Sequence, residues 1–225
     1  MHIKNSNSLV KQMKYNISRI LKQKALYIKG NLIYLMVRFY TYLELYLEDI
    51  NKRIYLGEFE KHFKRPHQTI KLHLQELVNK KILIKEKKSR FTFYQLNKTS
   101  PLLKEYLVLC EKERLLDFLE KNTLFKRFYD LLSKHLKESK MLIFGSAVNK
   151  QNFADIDILI LHGNQEIKKT IDEFMKTYST KIHALQTDEE NLTEAFLVEL
   201  KKQHIILNEH DYFIARLYKN ELGLV

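Results

Sequence analysis

The sequence predicts an α+β protein in two domains: a basic N-terminal one and a mildly acidic C-terminal one built on a small mixed sheet. Three observations carry this. Residues 52–97 switch between helical and strand periodicity around a proline turn and a basic turn. Residues 141–161 hold two apolar, β-prone runs separated by a Gly-Ser turn. Charge also divides along the chain: residues 139–225 carry ten Lys+Arg against thirteen Asp+Glu, so residues 1–138 carry 29 against 14. The boundaries expected are 1–100, a connecting helix over 101–121, and 122–225.

The composition is that of a globular chain. At 225 residues and 45% hydrophobic there is ample material for a core, and five Gly and two Pro argue against fibrous or low-complexity structure. The single cysteine, Cys110, excludes an internal disulfide and suits a reducing cytosol, with a buried helical position expected. The polar start "MHIKNSNSLVKQMK" lacks a signal-peptide pattern, and a cytoplasmic location is expected. The most apolar window, 31–50, is interrupted by Arg38 and Glu44, so it reads as a buried or partner-packing helix and not a membrane span.

In the basic half, 8–28 and 31–50 read as two helices. A β-prone piece, Arg53-Ile54-Tyr55-Leu56, precedes a brief helix at 57–63 and a turn at Lys64-Arg65-Pro66, where proline is tolerated. A longer helix follows from His67 to Lys80, with Ile70, Leu74, Leu77 and Val78 as its buried stripe. That leaves His67, Gln68, Thr69, Lys71 and Gln75 outward, residue types that reach base edges or phosphates. Runs 82–86 and 91–96 then flank a basic turn, Lys87-Lys88-Ser89-Arg90, as in a hairpin with a positive tip.

The segments Gln68-Thr69-Ile70, Leu74, Leu77, Ile82-Leu83 and Tyr94-Gln95-Leu96 resemble the winged helix–turn–helix family of archaeal and bacterial regulators. A glycine usual between helix and wing is Lys81 here. The resemblance implies binding to double-stranded DNA through His67, Gln68, Thr69, Lys71, Lys87, Lys88 and Arg90. Winged helices also serve as docking or dimerisation modules, and Lys-rich helices can simply be solvated faces. Downstream, 101–120 repeats Leu103, Leu107, Leu115 and Leu119 at helical spacing, as a core or connecting helix or a homodimer seam.

In the acidic half, 122–138 reads as an amphipathic helix with Leu124, Phe128, Leu131, Leu132 and Leu136 on one side. A strand then ends at Gly145-Ser146, and Asp155 follows Ser146 by nine positions in "ADIDILIL". Alternation puts Asp155 and Asp157 on one face of that strand and Ile156, Ile158 and Ile160 on the other. A helix over 165–177 and a strand over 180–186 come next. The tail supplies a helix, a strand at Ile205-Ile206-Leu207, a turn at Asn208-Glu209-His210 and a last helix. Two carboxylates two residues apart suit shared divalent cations, and a Gly-Ser turn offers amides and a hydroxyl to phosphates.

This Gly-Ser and Asp-Ile-Asp spacing resembles the polymerase-beta-type nucleotidyltransferase superfamily in its minimal-domain branch, and the tail is similar to archaeal members fused to winged helices. The resemblance implies Mg²⁺ on Asp155 and Asp157, and Gly145 and Ser146 at the phosphates of an NTP, ATP foremost. The chain departs from the pattern at Ala147-Val148-Asn149-Lys150 and at Ala154. It also lacks the third carboxylate of active members, since no Asp or Glu occurs from Phe174 to Thr187. His183 stands on that strand, as a substitute base or a structural residue, and Asp188 reads as a helix N-cap. His204, His210 and Asp211 match no zinc pattern and are expected in turn and surface roles. Three functions stay open: a Mg²⁺-dependent nucleotidyltransferase, a DNA-binding regulator with a degenerate domain, and a toxin–antitoxin component acting on a partner protein.

Overall fold

The computed structural model describes residues 39–149 and 153–223. The chain divides into two units, 1–38 and 39–225, and the helix expected over 8–28 lies outside the described residues. Of the helix expected over 31–50, the described part is a 3-10 helix, Phe39–Tyr46, so the longer α-helix is corrected there. It buries Tyr42, Leu43 and Tyr46.

Strand β1 (Ile54–Tyr55) leads into α1 (Leu56–Phe63). After the turn at Lys64 comes α2 (His67–Asn79), opening directly behind Pro66 and burying Ile70, Leu74 and Leu77. Its end shows how this half is locked without glycine. The Lys81 amide donates to the Val78 carbonyl at 2.9 Å and the Ile82 amide to the Leu77 carbonyl at 2.9 Å, a Schellman closure. Lys81 itself takes the left-handed conformation, φ +59°, at a helix end where glycine is usual. Strands β2 (Leu83–Lys88) and β3 (Phe91–Leu96) then form a hairpin, and β1 adds to β3, giving the antiparallel order β1-β3-β2.

Pairing in the hairpin runs from Leu83 with Leu96 to Lys88 with Phe91. Lys87 and Lys88 therefore lie on the strand, and only Ser89-Arg90 form the turn, a correction to the longer basic turn expected. Because side chains alternate, Lys87 shares a face with buried Leu83, Tyr94 and Leu96, while Lys88 shares the opposite face with Phe91 and Phe93.

Helix α3 (Leu103–Lys121) buries Leu103, Leu107, Leu115 and Leu119 together with Cys110 and Glu111. It packs against the 3-10 helix on one side and, on others, against α4 (Thr123–Leu132), β7 (His204–Ile206) and α7 (His210–Leu217). These four leucines are core, whereas Leu109 and Leu116 are exposed. In α4 the buried face is Phe125, Phe128 and Leu132, whereas Leu131, expected inside, is 43% exposed. The larger Phe125 ring occupies the space, packed at a tilt against Phe118 and Phe153.

The second sheet has the order β6-β5-β4-β7, with β4 (Lys140–Phe144) antiparallel to both β5 (Ile156–Leu161) and β7, and β6 (Ile182–Thr187) parallel to β5. It is thus a small mixed sheet, and the protein as a whole is α+β. Helix α5 (Gln165–Tyr178) supplies the parallel crossover and is capped by the Asn164 side chain, which accepts from the Ile167 amide at 3.0 Å. One face of β5 puts Ile156, Ile158 and Ile160 into a core with Phe125, Phe128, Ile167, Ile171 and Phe174. Asp188 opens only a 3-10 turn, Glu189–Asn191, and makes no side-chain cap bond, so the helix cap expected there is corrected. Helices α6 (Glu194–Lys202) and α8 (Lys219–Leu222) complete the described chain.

Candidate functional site

Strand β4 ends, and β5, β6 and β7 begin, at one end of the four-stranded sheet. Register pairs Phe144 with Asp157, Asp157 with His183, and Phe144 with His204, a single row across all four strands. Residues paired in this way project from the same face. Asp155, one residue before β5, leans to the same place. His183 Nδ1 lies 3.4 Å from Asp155 Oδ2 and 3.4 Å from Asp157 Oδ1. One ligand atom from each of the three residues falls within 4.8 Å of the others. The side chains remain open to solvent, at 26%, 30% and 51% for Asp155, Asp157 and His183.

Gly145 closes the site from the β4 side. Its φ is +76°, and a Cβ built there would stand 2.7 Å from Asp157 Oδ2. Only glycine fits both the turn and the carboxylate. Its amide donates to the Gln203 carbonyl at 3.3 Å, anchoring the 3-10 turn Gly145–Val148 to the chain just before β7. Ser146, half-buried, sits on that turn, and its carbonyl accepts from the Asn149 amide at 3.3 Å. Sequence-predicted Gly145, Asp155, Asp157 and His183 are therefore brought together, with Ser146 next in the chain. The donor set fits a divalent cation. Two partly buried carboxylates, paired among the described residues with no basic side chain other than His183, offer hard oxygens, and the imidazole adds one nitrogen.

At the far end of the same row the chemistry is reversed. His204 is 1% exposed and Glu111, from α3, is 0% exposed, which corrects the surface role expected for His204. Glu111 Oε1 takes Arg114 Nη1 at 2.6 Å and His204 Nε2 at 3.1 Å, while His204 Nδ1 meets the Leu200 carbonyl at 2.7 Å. Burial pushes the Glu111 carboxyl up, but Arg114 and His204 outweigh it and hold the group at about 2. His210 is also buried, not on the surface as expected, and burial drives its imidazole down to about 4. Asp211 only approaches Lys104, at 3.8 Å, so these residues form no metal set with His204.

A cleft of about 350 Å³ runs beside the Gly-Ser turn, lined by Glu44, His62, Arg114, Lys121 and Asn149 among others. It joins the back of the turn to α1 and α3.

On the basic half, His67, Gln68 and Lys71 are exposed on the first turns of α2 and Thr69 is half-buried. His67 Nδ1 is already paired with Glu60, so it is the least available of the four. Leu72, 70% exposed, lies among them and was not singled out from sequence. Lys87 falls on the core-side face of the hairpin, Lys88 on the opposite face and Arg90 in the turn, so the basic residues do not form one tip. Sequence reading also passed over Tyr55, Phe91 and Phe93, although the alternation in "FTFYQL" puts two of these aromatics on one face. No protein-family model matches the sequence, and no curated protein or solved structure is similar to it.

Proposed function

We propose that this chain is a Mg²⁺-dependent nucleotidyltransferase, moving a nucleoside monophosphate from an NTP, ATP foremost, to an acceptor hydroxyl. The observation that carries the reading is the convergence of Asp155, Asp157 and His183 at a sheet end where Gly145 has no room for a side chain. In this reading the two carboxylates hold the metal, which neutralises charge on the phosphates. The Gly145–Ser146 turn cradles the triphosphate with backbone amides and a hydroxyl. His183, in place of a third carboxylate, takes the proton from the acceptor hydroxyl as its oxygen bonds the α-phosphorus and the bond to the β-phosphate breaks, releasing pyrophosphate. The winged-helix reading of β1 to β3 assigns duplex DNA to Gln68, Thr69 and Lys71 on α2, assisted by Lys87 and, from the turn, Arg90. Its support is the helix–turn–helix–hairpin order and the excess of basic residues.

A second reading has its own observation. No carboxylate stands on β6, and His183 already contacts both aspartates, as in a site that has given up catalysis while the DNA-binding half regulates transcription. One experiment separates them: labelled NTPs with Mg²⁺, wild type against Asp155→Ala/Asp157→Ala. Transfer that the double substitution removes supports the enzyme, and Mg²⁺-dependent NTP binding without transfer supports the degenerate site. If wild type shows neither, the enzyme reading fails and the regulator remains.

A further inference from the structure

The three-stranded sheet has one face packed on α1 and α2 and another that nothing among the described residues covers. Alternation places Tyr55 from β1, Phe91 and Phe93 from β3, and Ile84, Glu86 and Lys88 from β2 on that second face. Tyr55 is 40% exposed, Phe91 45% and Ile84 42%. The rings form a contiguous group: Tyr55 lies 6.1 Å from Phe91 and 6.5 Å from Phe93, and Phe91 lies 6.5 Å from Phe93. Gly57 holds Tyr55 in this group. A Cβ at Gly57 would fall 2.6 Å from Tyr55 Cε2, so a side chain there would displace the ring from the start of α1.

Two guanidinium groups lie against these rings. Arg53 sits 5.4 Å from the Phe93 centroid and Arg90 5.2 Å from the Phe91 centroid. Arg53 is also ion-paired with Glu86. Around them residues 53–97 carry eleven Lys+Arg against four Asp+Glu. A cluster of two exposed rings and one half-buried ring, bordered by arginines, has the chemistry of a base-stacking platform: π-faces for bases and positive charge for the phosphates between them. Self-pairing of the face is disfavoured, because a two-fold contact would set the same basic rim against itself. Duplex DNA is also a poor occupant, since its bases are already stacked on one another and present no free faces.

We propose that this sheet face binds single-stranded nucleic acid by stacking unpaired bases on Tyr55, Phe91 and Phe93, with Arg53, Arg90 and Lys88 contacting the backbone. The rings lie away from the outer face of α2 assigned to duplex DNA, with Arg90 bordering both surfaces, and the site does not depend on nucleotidyl transfer.

The test is fluorescence anisotropy of the full-length protein with a labelled oligothymidylate of about 12 nucleotides, within the size range of such sites, and with a mixed-sequence duplex. Tyr55→Ala/Phe91→Ala should weaken the single-strand complex at least ~10-fold, the loss of one to two stacked bases, and change duplex affinity less than ~2-fold. Phe91→Leu keeps the apolar bulk and removes the flat ring, so it too should weaken single-strand binding. Thermal melting confirms that each variant folds, as expected for exposed positions. The proposal is overturned if wild type does not bind the single strand, if the double variant binds it as wild type does, or if Phe91→Leu is neutral. It is equally overturned if sedimentation shows that the substitutions dissolve a dimer while single-strand affinity is unchanged.

Discussion

Two clusters of acid and histidine lie on one row of the same sheet, and they differ in what neutralises the acid. At the β6–β5 end, Asp155 and Asp157 share a single imidazole and are about one-quarter to one-third exposed. At the β7 end, Glu111 is fully buried, with Arg114 and His204 both on one oxygen. A carboxylate taken out of water requires compensation from within the fold, whereas one left at the surface can wait for a cation from outside. The contrast separates a structural charge from a site charge more firmly than residue type does. Asp155→Asn/Asp157→Asn breaks it at the open end. Nucleotidyl transfer should fall at least ~10³-fold, since metal and phosphate positioning go together, while the urea midpoint stays level or rises. A fall in the midpoint matching the fall in activity would mean that the aspartates are structural after all.

The closed end should give the opposite result. Glu111→Gln leaves Arg114 and His204 without their shared anion and should cost about 3 kcal/mol in urea denaturation, the range for breaking a buried pair. NTP affinity of the folded fraction should be unaffected.

Acid separates the ends as well. His210 has a folded pKa of about 4, lowered first by burial and against the pull of Glu111. The unfolded chain takes up its proton near pH 6.5, the folded chain only near 4. Stability therefore falls as pH drops between those values, by about 3 kcal/mol in all, and the loss from this group levels off below. Glu111 has a depressed pKa, so its contribution is complete above its unfolded value and is lost only as pH falls from there toward about 2. Denaturation curves at neutral and mildly acid pH check this, and His210→Gln should flatten the slope between pH 6.5 and 4.

What could be read from the sequence follows the same division. Gly145, Asp155 and Asp157 declare themselves because they interrupt apolar runs, and the β4–β5–α5–β6 order follows from periodicity. Glu111 does not. In "LCEKERL" it looks like one of several surface charges, and only the distant His204 and the packing of α3 on β7 show that it is interior. His204 and His210 were misjudged for the same reason, since their burial comes from helices far away in the chain. Leu131 and Phe125 exchanged places because helical spacing marks a face only to within a residue or so. The row of exposed Tyr55 and Phe91 with half-buried Phe93 is present as period-two aromatics, but alternation alone does not say which face is covered.

Two left-handed positions, Gly145 and Lys81, also differ in what stands beside them, and this gives the two smallest effects. Gly145, at φ +76°, abuts the Asp157 carboxylate, so Gly145→Ala should cost about 2 kcal/mol of stability through backbone strain and the forced shift of Asp157. Metal affinity, read by calorimetry with Mn²⁺, should fall with it. Lys81, at φ +59°, ends α2 in a Schellman closure, with the Asn97 side chain donating to its carbonyl at 2.8 Å. No metal or phosphate chemistry is assigned to it, and its left-handed backbone is borne by a residue with a Cβ. Lys81→Gly should therefore raise stability by about 1 kcal/mol, the left-handed penalty less the added entropy of the unfolded chain. Thermal melting checks both. If Lys81→Gly were instead destabilising, the lysine stem would contribute packing beyond the turn. The two left-handed positions would then differ in degree, and no longer in whether a side chain can be present at all.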